Sequence, residues 1–119
     1  MGKVYGYCRT ALADENEIIK RTELIKRYCE DNCLSLKKCF CDNGVSGFDI
    51  GEGFNQLMCE LESGDMVVIR DLSQLSRSNA RLQMLMEQFK DMGVKVIHVN
   101  AGEIRIPSIA EWIEKRLVR

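Results

Sequence analysis

The sequence has little of several features that would mark a specialised chain. Its apolar runs fall far short of the roughly 20 residues that cross a bilayer, and it contains one proline and one histidine, Pro107 and His98. With 17 basic and 18 acidic side chains, it lacks the basic excess of an autonomous nucleic-acid-binding domain. The first strand-like run follows the N-terminus without a secretory leader, which predicts a cytoplasmic protein with reduced thiols.

Motifs for nucleotide binding are also absent. Residues 7–12, at the end of the first apolar run, read YCRTAL, without the glycines that admit a pyrophosphate. A Walker loop is missing, and this strand ends on Arg9 where a phosphate-accepting receiver domain carries acidic residues. We therefore expect no nucleotide cofactor.

What the sequence does contain is a regular alternation of strand-like and helix-like segments. A length of 119 residues with 45% hydrophobic and 29% charged residues predicts one globular domain over residues 1–119. The predicted strands are 4–8, 36–41, 66–69 and 94–99, and helices are predicted near Asp14, Phe54, Leu82 and Ser108. This order is typical of an α/β three-layer sandwich with a mainly parallel sheet of four to five strands.

The loops at the carboxyl ends of the predicted strands are the candidate binding region, since ligands of parallel sheets bind there. Arginine recurs in these loops. Arg9 leaves the first strand, Arg70 leaves the third, and Arg77 begins the long third helix. Guanidinium groups suit bidentate contacts with phosphate. Taken singly, however, each arginine is better explained as a solvated surface side chain.

Cysteine is the most unusual component of the composition, with six residues. Cys29 and Cys33 share a predicted helix face, and Cys39 and Cys41 share a predicted strand face, so the geometry permits a four-thiolate zinc site. The spacing contains no CxxC knuckle, and small buried cysteines are common. Unmetallated thiols are therefore the favoured interpretation, and a zinc or thiol module is the alternative.

Four segments in order resemble the N-terminal catalytic domain of serine site-specific recombinases, the resolvase and invertase family. They are residues 5–9, 42–47, 54–68 and 72–77, which read YGYCR, DNGVSG, FxxLxxxLxxGDxVV and LSQLSR. The resemblance implies that a serine two residues after Arg9 attacks a DNA phosphodiester while arginines stabilise the pentacoordinate phosphate, without metal or nucleotide. It also implies DNA as a partner, and assembly as a homodimer or as a hetero-oligomer with a related recombinase.

The chain departs from the family pattern at the nucleophile, because Ala11 stands where the resemblance places the serine. Arg9, Asp42 and Arg77 still match family positions. We therefore predict a site made of these three residues and Ala11 as the vacant nucleophile position. Removing a nucleophile alone costs about a million-fold in a well-measured triad enzyme, so strand cleavage is predicted to be lost.

Further departures fall in the same predicted site. Gly51 stands in place of a family arginine, and Ser73 and Gln74 replace an aspartate and an arginine. Together they favour a naturally degenerate domain over a single substitution. Two alternatives stay open, an active domain that uses the hydroxyl of Thr10 or Ser73, and a non-catalytic regulator that dimerises with an active relative.

The C-terminal segment is also shorter than the family pattern. The helix predicted from Ser108 ends the chain, and no helix-turn-helix or zinc ribbon follows it. We therefore expect no DNA-binding domain and weak DNA binding by this chain alone. His98 is interpreted as a strand residue, and Trp112 as part of a helix that packs on the core.

Overall fold

The structure is a computed structural model that describes residues 2–99 and 102–103. Its elements are β1 (Val4–Thr10), α1 (Glu15–Asp31), β2 (Leu36–Asn43), α2 (Glu52–Glu60), β3 (Met66–Ile69), a 3-10 turn (Leu72–Gln74), α3 (Asn79–Met92), β4 (Lys95–His98) and β5 (Gly102–Glu103). The helix predicted from Ser108, with Trp112, lies outside the described residues.

The strands form one sheet in the order β2-β1-β3-β4-β5. The first four are parallel to their neighbours, and β5 pairs antiparallel with β4. The prediction of an α/β fold with a mainly parallel sheet is therefore confirmed. The chain turns back after β2 and places β3 on the other side of β1. The preference for right-handed crossovers then assigns α1 to one face and α2 and α3 to the opposite face.

β1 is the central strand, and all seven of its residues are buried. Alternate side chains serve different layers, as the two-residue period of a strand requires. Cys8 belongs to the cluster that packs against Ile25 of α1. Tyr5 and Tyr7 belong to the opposite cluster with α2 and α3, where the rings of Tyr7 and Phe54 meet edge to face with centroids 5.4 Å apart. A β1 residue therefore contacts one layer or the other, according to its parity.

Local capping explains where the helices begin and end. The side chain of Asp14 accepts a hydrogen bond from the Glu17 amide at 3.2 Å and caps α1, the helix that the sequence predicted near this residue. α3 ends at Gly93, whose φ of 75° lies in the left-handed region that favours glycine. Among the described residues, no helix combines the length and apolarity needed to cross a membrane.

β1 is two residues longer than predicted, since it continues past Cys8 to Thr10. The carbonyl of Thr10 accepts hydrogen bonds from the amides of Gly44 and Val45, both at 2.9 Å. These bonds hold the loop after β2 against the end of β1. Arg9 and Thr10 consequently sit on the rigid sheet, at the position from which a strand end presents side chains to a ligand.

Candidate functional site

A cavity of about 290 Å³ opens at the carboxyl ends of β1 and β3. The strand order reverses at this point because β2 lies on one side of β1 and β3 on the other. Such a reversal is where open α/β sheets bind their ligands. We call this space the switch-point cavity. It is lined by Arg9, Thr10, Ala11, Leu12, Asp14, Glu17, Arg21, Arg70, Gln74 and Arg77.

Arg9 is buried at the base of the cavity, and its guanidinium serves the fold. Nη1 donates to the carbonyl of Val45 at 3.0 Å, Nε donates to that of Gln74 at 3.4 Å, and Nη2 donates to that of Ser73. Burial lowers the pKa of Arg9, and the nearby guanidinium of Arg77 lowers it further. Arg9 therefore ties two loops to the end of β1, and three of its five N–H donors are already engaged.

Arg77 is placed differently, because its side chain is exposed at the cavity. Its aliphatic carbons lie over Gly47, where an added Cβ would come within 2.4 Å of the Arg77 Cγ. Its backbone amide donates to the Gly47 carbonyl at 2.9 Å. Within residues 2–99 and 102–103, its guanidinium makes no hydrogen bond to another residue, so this arginine is directed to solvent. Ala11 is also exposed and contributes a methyl group to the lining of the same cavity.

Asp42 is in register with Arg9 but does not line the cavity. Its carboxylate is buried and accepts the Tyr7 hydroxyl at 2.6 Å, the Gly53 amide at 2.8 Å and the Phe54 amide at 2.9 Å. The side chain thus caps the N-terminus of α2 from the end of β2. The structure brings three of the four predicted site residues to one cavity and places the fourth in the core beside it.

The Asp42 cap also explains the glycine at position 51. A Cβ added to Gly51 would lie 2.2 Å from the Asp42 Cγ and 2.4 Å from both of its carboxylate oxygens. No side chain fits there while Asp42 caps α2. The packing of Asp42 against this loop therefore excludes an arginine at position 51.

The hydroxyls considered as replacement nucleophiles are both occupied. Thr10 is buried and its Oγ1 donates to the Asn43 Oδ1 at 2.8 Å. Ser73 donates its Oγ to the Asp71 carboxylate. Ser73 lies outside the cavity lining, and so does His98, which ends β4 as a strand residue.

Comparison with known proteins identifies the fold and the family. The family model described as Resolvase, N terminal domain, matches residues 4–111. The chain belongs to the resolvase family. It is 29% identical over 101 residues to a resolvase/recombinase of Pseudomonas putida, covering 84% of this chain and 52% of that protein. It is 23% identical over 100 residues to the transposon Tn3 resolvase of Escherichia coli, covering 84% and 51%. The chain spans about half the length of these curated relatives.

Solved structures place this resolvase-family domain in the same fold. The N-terminal catalytic domain of TP901-1 integrase superposes with a TM-score of 0.76 at 20% identity, covering 98% of this chain and 90% of that one. A resolvase family site-specific recombinase from Streptococcus pneumoniae gives a TM-score of 0.74 at 23% identity, covering 99% and 86%. At these identities the likeness shows the architecture, which the sequence predicted.

Sequence reasoning did not assign Arg21 to the site of this resolvase-family domain. Its Nε pairs with Glu17 at 3.0 Å, and its Nη1 donates to the Arg9 carbonyl and to the Gln74 Oε1, the latter at 3.3 Å. Asp14, Glu17 and Arg21 recur at helical spacing, so one face of α1 points to the strand ends. That periodicity was the signal in the sequence. The cavity consequently carries four arginines against two carboxylates.

The cysteines of the domain group differently from the zinc-site alternative. Cys33 is exposed and Cys29 is buried within the α1 layer. Among the described residues, the set that approaches metal-ligand spacing is Cys8, Cys39 and Cys41. The four-thiolate set built on Cys29, Cys33, Cys39 and Cys41 is therefore not assembled, and β1 supplies the cysteine that sequence spacing overlooked.

Proposed function

We propose that this resolvase-family domain binds the sugar-phosphate backbone of DNA at the switch-point cavity without cleaving it. The observation that carries the proposal is the side chain at position 11. Ala11 lines the cavity, as Arg77 does, and stands at the position where the family resemblance puts the attacking serine. A methyl group has no lone pair with which to form a phosphoester, so the covalent step of the family has no nucleophile here.

Other oxygen nucleophiles do not compensate. Thr10 is the one hydroxyl-bearing residue among those that line the cavity, and its proton is already donated to Asn43. Attack by Thr10 would require the hydroxyl to leave that bond and to leave the core, where the residue is 4% exposed. This arrangement supports loss of cleavage over the alternative of an active domain.

Phosphate binding is supported by the distribution of charge. Four guanidinium groups and two carboxylates line the cavity, while the whole chain has a net charge of −1. Positive charge is thus concentrated at one place on a neutral molecule. The exposed guanidinium of Arg77 offers the two parallel N–H donors that suit phosphate oxygens. A single patch of this size gives weak binding, which agrees with a domain that depends on partners for DNA affinity.

The test is a search for a covalent protein–DNA link. The purified chain is mixed with negatively supercoiled plasmids that carry random inserts, and the reaction is stopped with detergent. We expect neither plasmid nicking nor a phosphoserine or phosphothreonine peptide by mass spectrometry. Formaldehyde crosslinking of a parallel sample should show that the protein occupies the DNA.

A cleaving recombinase on its own site provides the positive control for the trapping step. A phosphorylated Thr10 or Ser73 peptide that disappears in the corresponding alanine variant would overturn the proposal. Failure of crosslinking at low salt would contradict the part of the proposal that concerns DNA binding.

A second candidate function is a non-cleaving subunit that modulates an active relative by assembling with it. It is favoured by exposed apolar side chains near the cavity, Leu12 at its lining and Phe48 and Ile50 in the loop after β2. Added to an active recombinase on its own site, the chain should slow product formation in proportion to its concentration. Phe48→Asp should weaken this inhibition. If the two proteins sediment as separate monomers when mixed, the second candidate function is ruled out.

A further inference from the structure

We propose that Cys8, Cys39 and Cys41 form a binding site for a soft monovalent metal ion, with Cu(I) as the ion that fits. The three Sγ atoms all lie within 4.8 Å of one another. The site is on the α1 face of the sheet and uses none of the side chains that line the switch-point cavity. The proposed metal site is therefore independent of the proposed function, and a test of one does not decide the other.

Strand register brings the three thiols together. β1 and β2 are parallel neighbours in which Cys8 pairs with Cys41 and Gly6 pairs with Cys39. Because side chains two residues apart share a strand face, all three thiols project towards α1. The Sγ atoms of Cys8 and Cys41 are 3.0 Å apart. The arrangement follows from the parallel pairing of the central strand β1 with the edge strand β2.

The surroundings leave room for these sulfurs. A Cβ added to Gly6 would lie 3.0 Å from the Cys39 Sγ and 2.9 Å from the Ile25 Cγ2, so a side chain at position 6 would crowd this thiol. Above the cluster, the Thr22 hydroxyl of α1 is 3.8 Å from the Cys8 Sγ and 3.7 Å from the Cys41 Sγ. Cys8 is buried, and Cys39 and Cys41 are half-buried. The cluster is shielded from bulk water but open enough for an ion to enter.

The three thiols lie close to one another. The Cys8 Sγ donates to the Cys41 Sγ at 3.0 Å, and the Cys39 Sγ is within 4.8 Å of both. A metal cation binds a thiolate and not a thiol, so its binding releases protons and becomes weaker at low pH.

Ligand number and spacing select the ion. A metal about 2.3 Å from each of three sulfurs in a plane spaces those sulfurs about 4 Å apart. The three Sγ atoms lie within 4.8 Å of one another, and the Cys8 and Cys41 sulfurs, which are 3.0 Å apart, would separate by about 1 Å to reach that spacing. Zinc completes a tetrahedron with a fourth ligand. Among the described residues, the hydrogen-bonding contact of these thiols outside the cluster is the Thr22 hydroxyl, a poor zinc ligand. Thiolate-only coordination favours Cu(I).

The experiment titrates the reduced full chain with Cu(I) under anaerobic conditions, in competition with bicinchoninate. We expect one Cu(I) per chain, with three sulfur neighbours in the X-ray absorption spectrum. Cys39→Ser, at a half-buried position, should weaken binding by more than about 100-fold, which exceeds the usual effect of losing a hydrogen bond to a metal ligand. Cys41→Ser should do the same.

Matched controls are the exposed cysteines outside the cluster, in the variants Cys33→Ser and Cys59→Ser. Both should keep wild-type stoichiometry and affinity. Circular dichroism establishes that each variant is folded. If Cys8→Ser unfolds, the variants at the half-buried positions, Cys39→Ser and Cys41→Ser, still test the proposal. Wild-type binding by both Cys39→Ser and Cys41→Ser would overturn the proposal. So would loss of Cu(I) in Cys33→Ser, or a spectrum with two sulfur neighbours.

Discussion

Asp42 is buried at the end of β2, and its carboxylate accepts three hydrogen bonds, from the Tyr7 hydroxyl and the first amides of α2. A carboxylate at a helix N-terminus satisfies amides that have no partner within the helix. Burial and the bond to Asp42 raise the pKa of Tyr7, so its hydroxyl remains a donor. Asp42 therefore links β1, β2 and α2. This structural role accounts for an aspartate at position 42, and no contact with a ligand is needed to explain it.

Asp42→Asn should therefore reduce the free energy of unfolding by about 1–3 kcal/mol. The new amide group keeps the volume, but its NH₂ cannot accept a bond from the backbone and leaves a buried donor unsatisfied. Urea denaturation followed by circular dichroism measures the effect. Asp49→Asn, at an exposed position, should change stability by less than about 0.5 kcal/mol. Equal stability of the two variants would contradict the capping role.

The dependence of Gly51 on Asp42 gives a second prediction. Gly51→Ala should destabilise the chain by about 1–3 kcal/mol, since its methyl group would overlap the Asp42 carboxylate. In an Asp42→Ala background the same substitution should have a smaller effect, because the obstructing oxygens are gone. Urea denaturation of the four proteins should give a coupling energy of about 0.5–3 kcal/mol. Additive effects would show that the two positions act separately.

At the scale of elements, patterns within a segment were enough to find the helices and strands. The run Met66–Ile69 predicted β3 at the bounds found, since a continuous apolar run is typical of a strand buried on both faces. The extension of β1 to Thr10 was not predicted, because the bonds from Gly44 and Val45 that hold it come from a distant loop. The place of β1 between β2 and β3 likewise depends on long-range pairing that no single segment encodes.

The end of α3 yields a prediction at this scale. Gly93 adopts a φ of 75° at the helix C-terminus, and an added Cβ would lie 2.6 Å from the Ser63 Oγ. Gly93→Ala should reduce stability by about 1 kcal/mol, which lowers the melting temperature by roughly 4–8 °C in a domain of about this size. Gly93→Asn is the matched variant, because asparagine tolerates the left-handed conformation better. A smaller loss for alanine than for asparagine would contradict this explanation.

At the scale of the whole molecule, the site was predicted in part. Arg9 and Ala11 are two residues apart, whereas Arg77 comes from a distant segment, and the order of strands brings all three to one cavity. Asp42 was grouped with them because it matches a position of the resembled family, yet its side chain turns to the α2 layer. Sequence motifs thus located the strand ends. They did not tell which way each side chain points or which guanidinium groups are already bound to carbonyls.

That difference between arginines predicts how DNA binding responds to substitution. Arg77→Gln should lower affinity for a fluorescent mixed-sequence duplex about two- to tenfold and reduce the salt slope by about 1, since one phosphate contact is lost. Its melting temperature should stay near the wild-type value because the guanidinium is exposed. Anisotropy titrations across several salt concentrations measure both quantities.

Arg27→Gln removes the same charge from an exposed position on α1 outside the cavity lining and serves as the control. It should leave affinity and salt slope nearly unchanged. Arg9→Gln should behave in a third way and destabilise the fold, because Val45, Ser73 and Gln74 lose their shared donor. Equal losses of affinity in the Arg77 and Arg27 variants would mean that DNA responds to overall charge, and the switch-point cavity would then have no special role in binding.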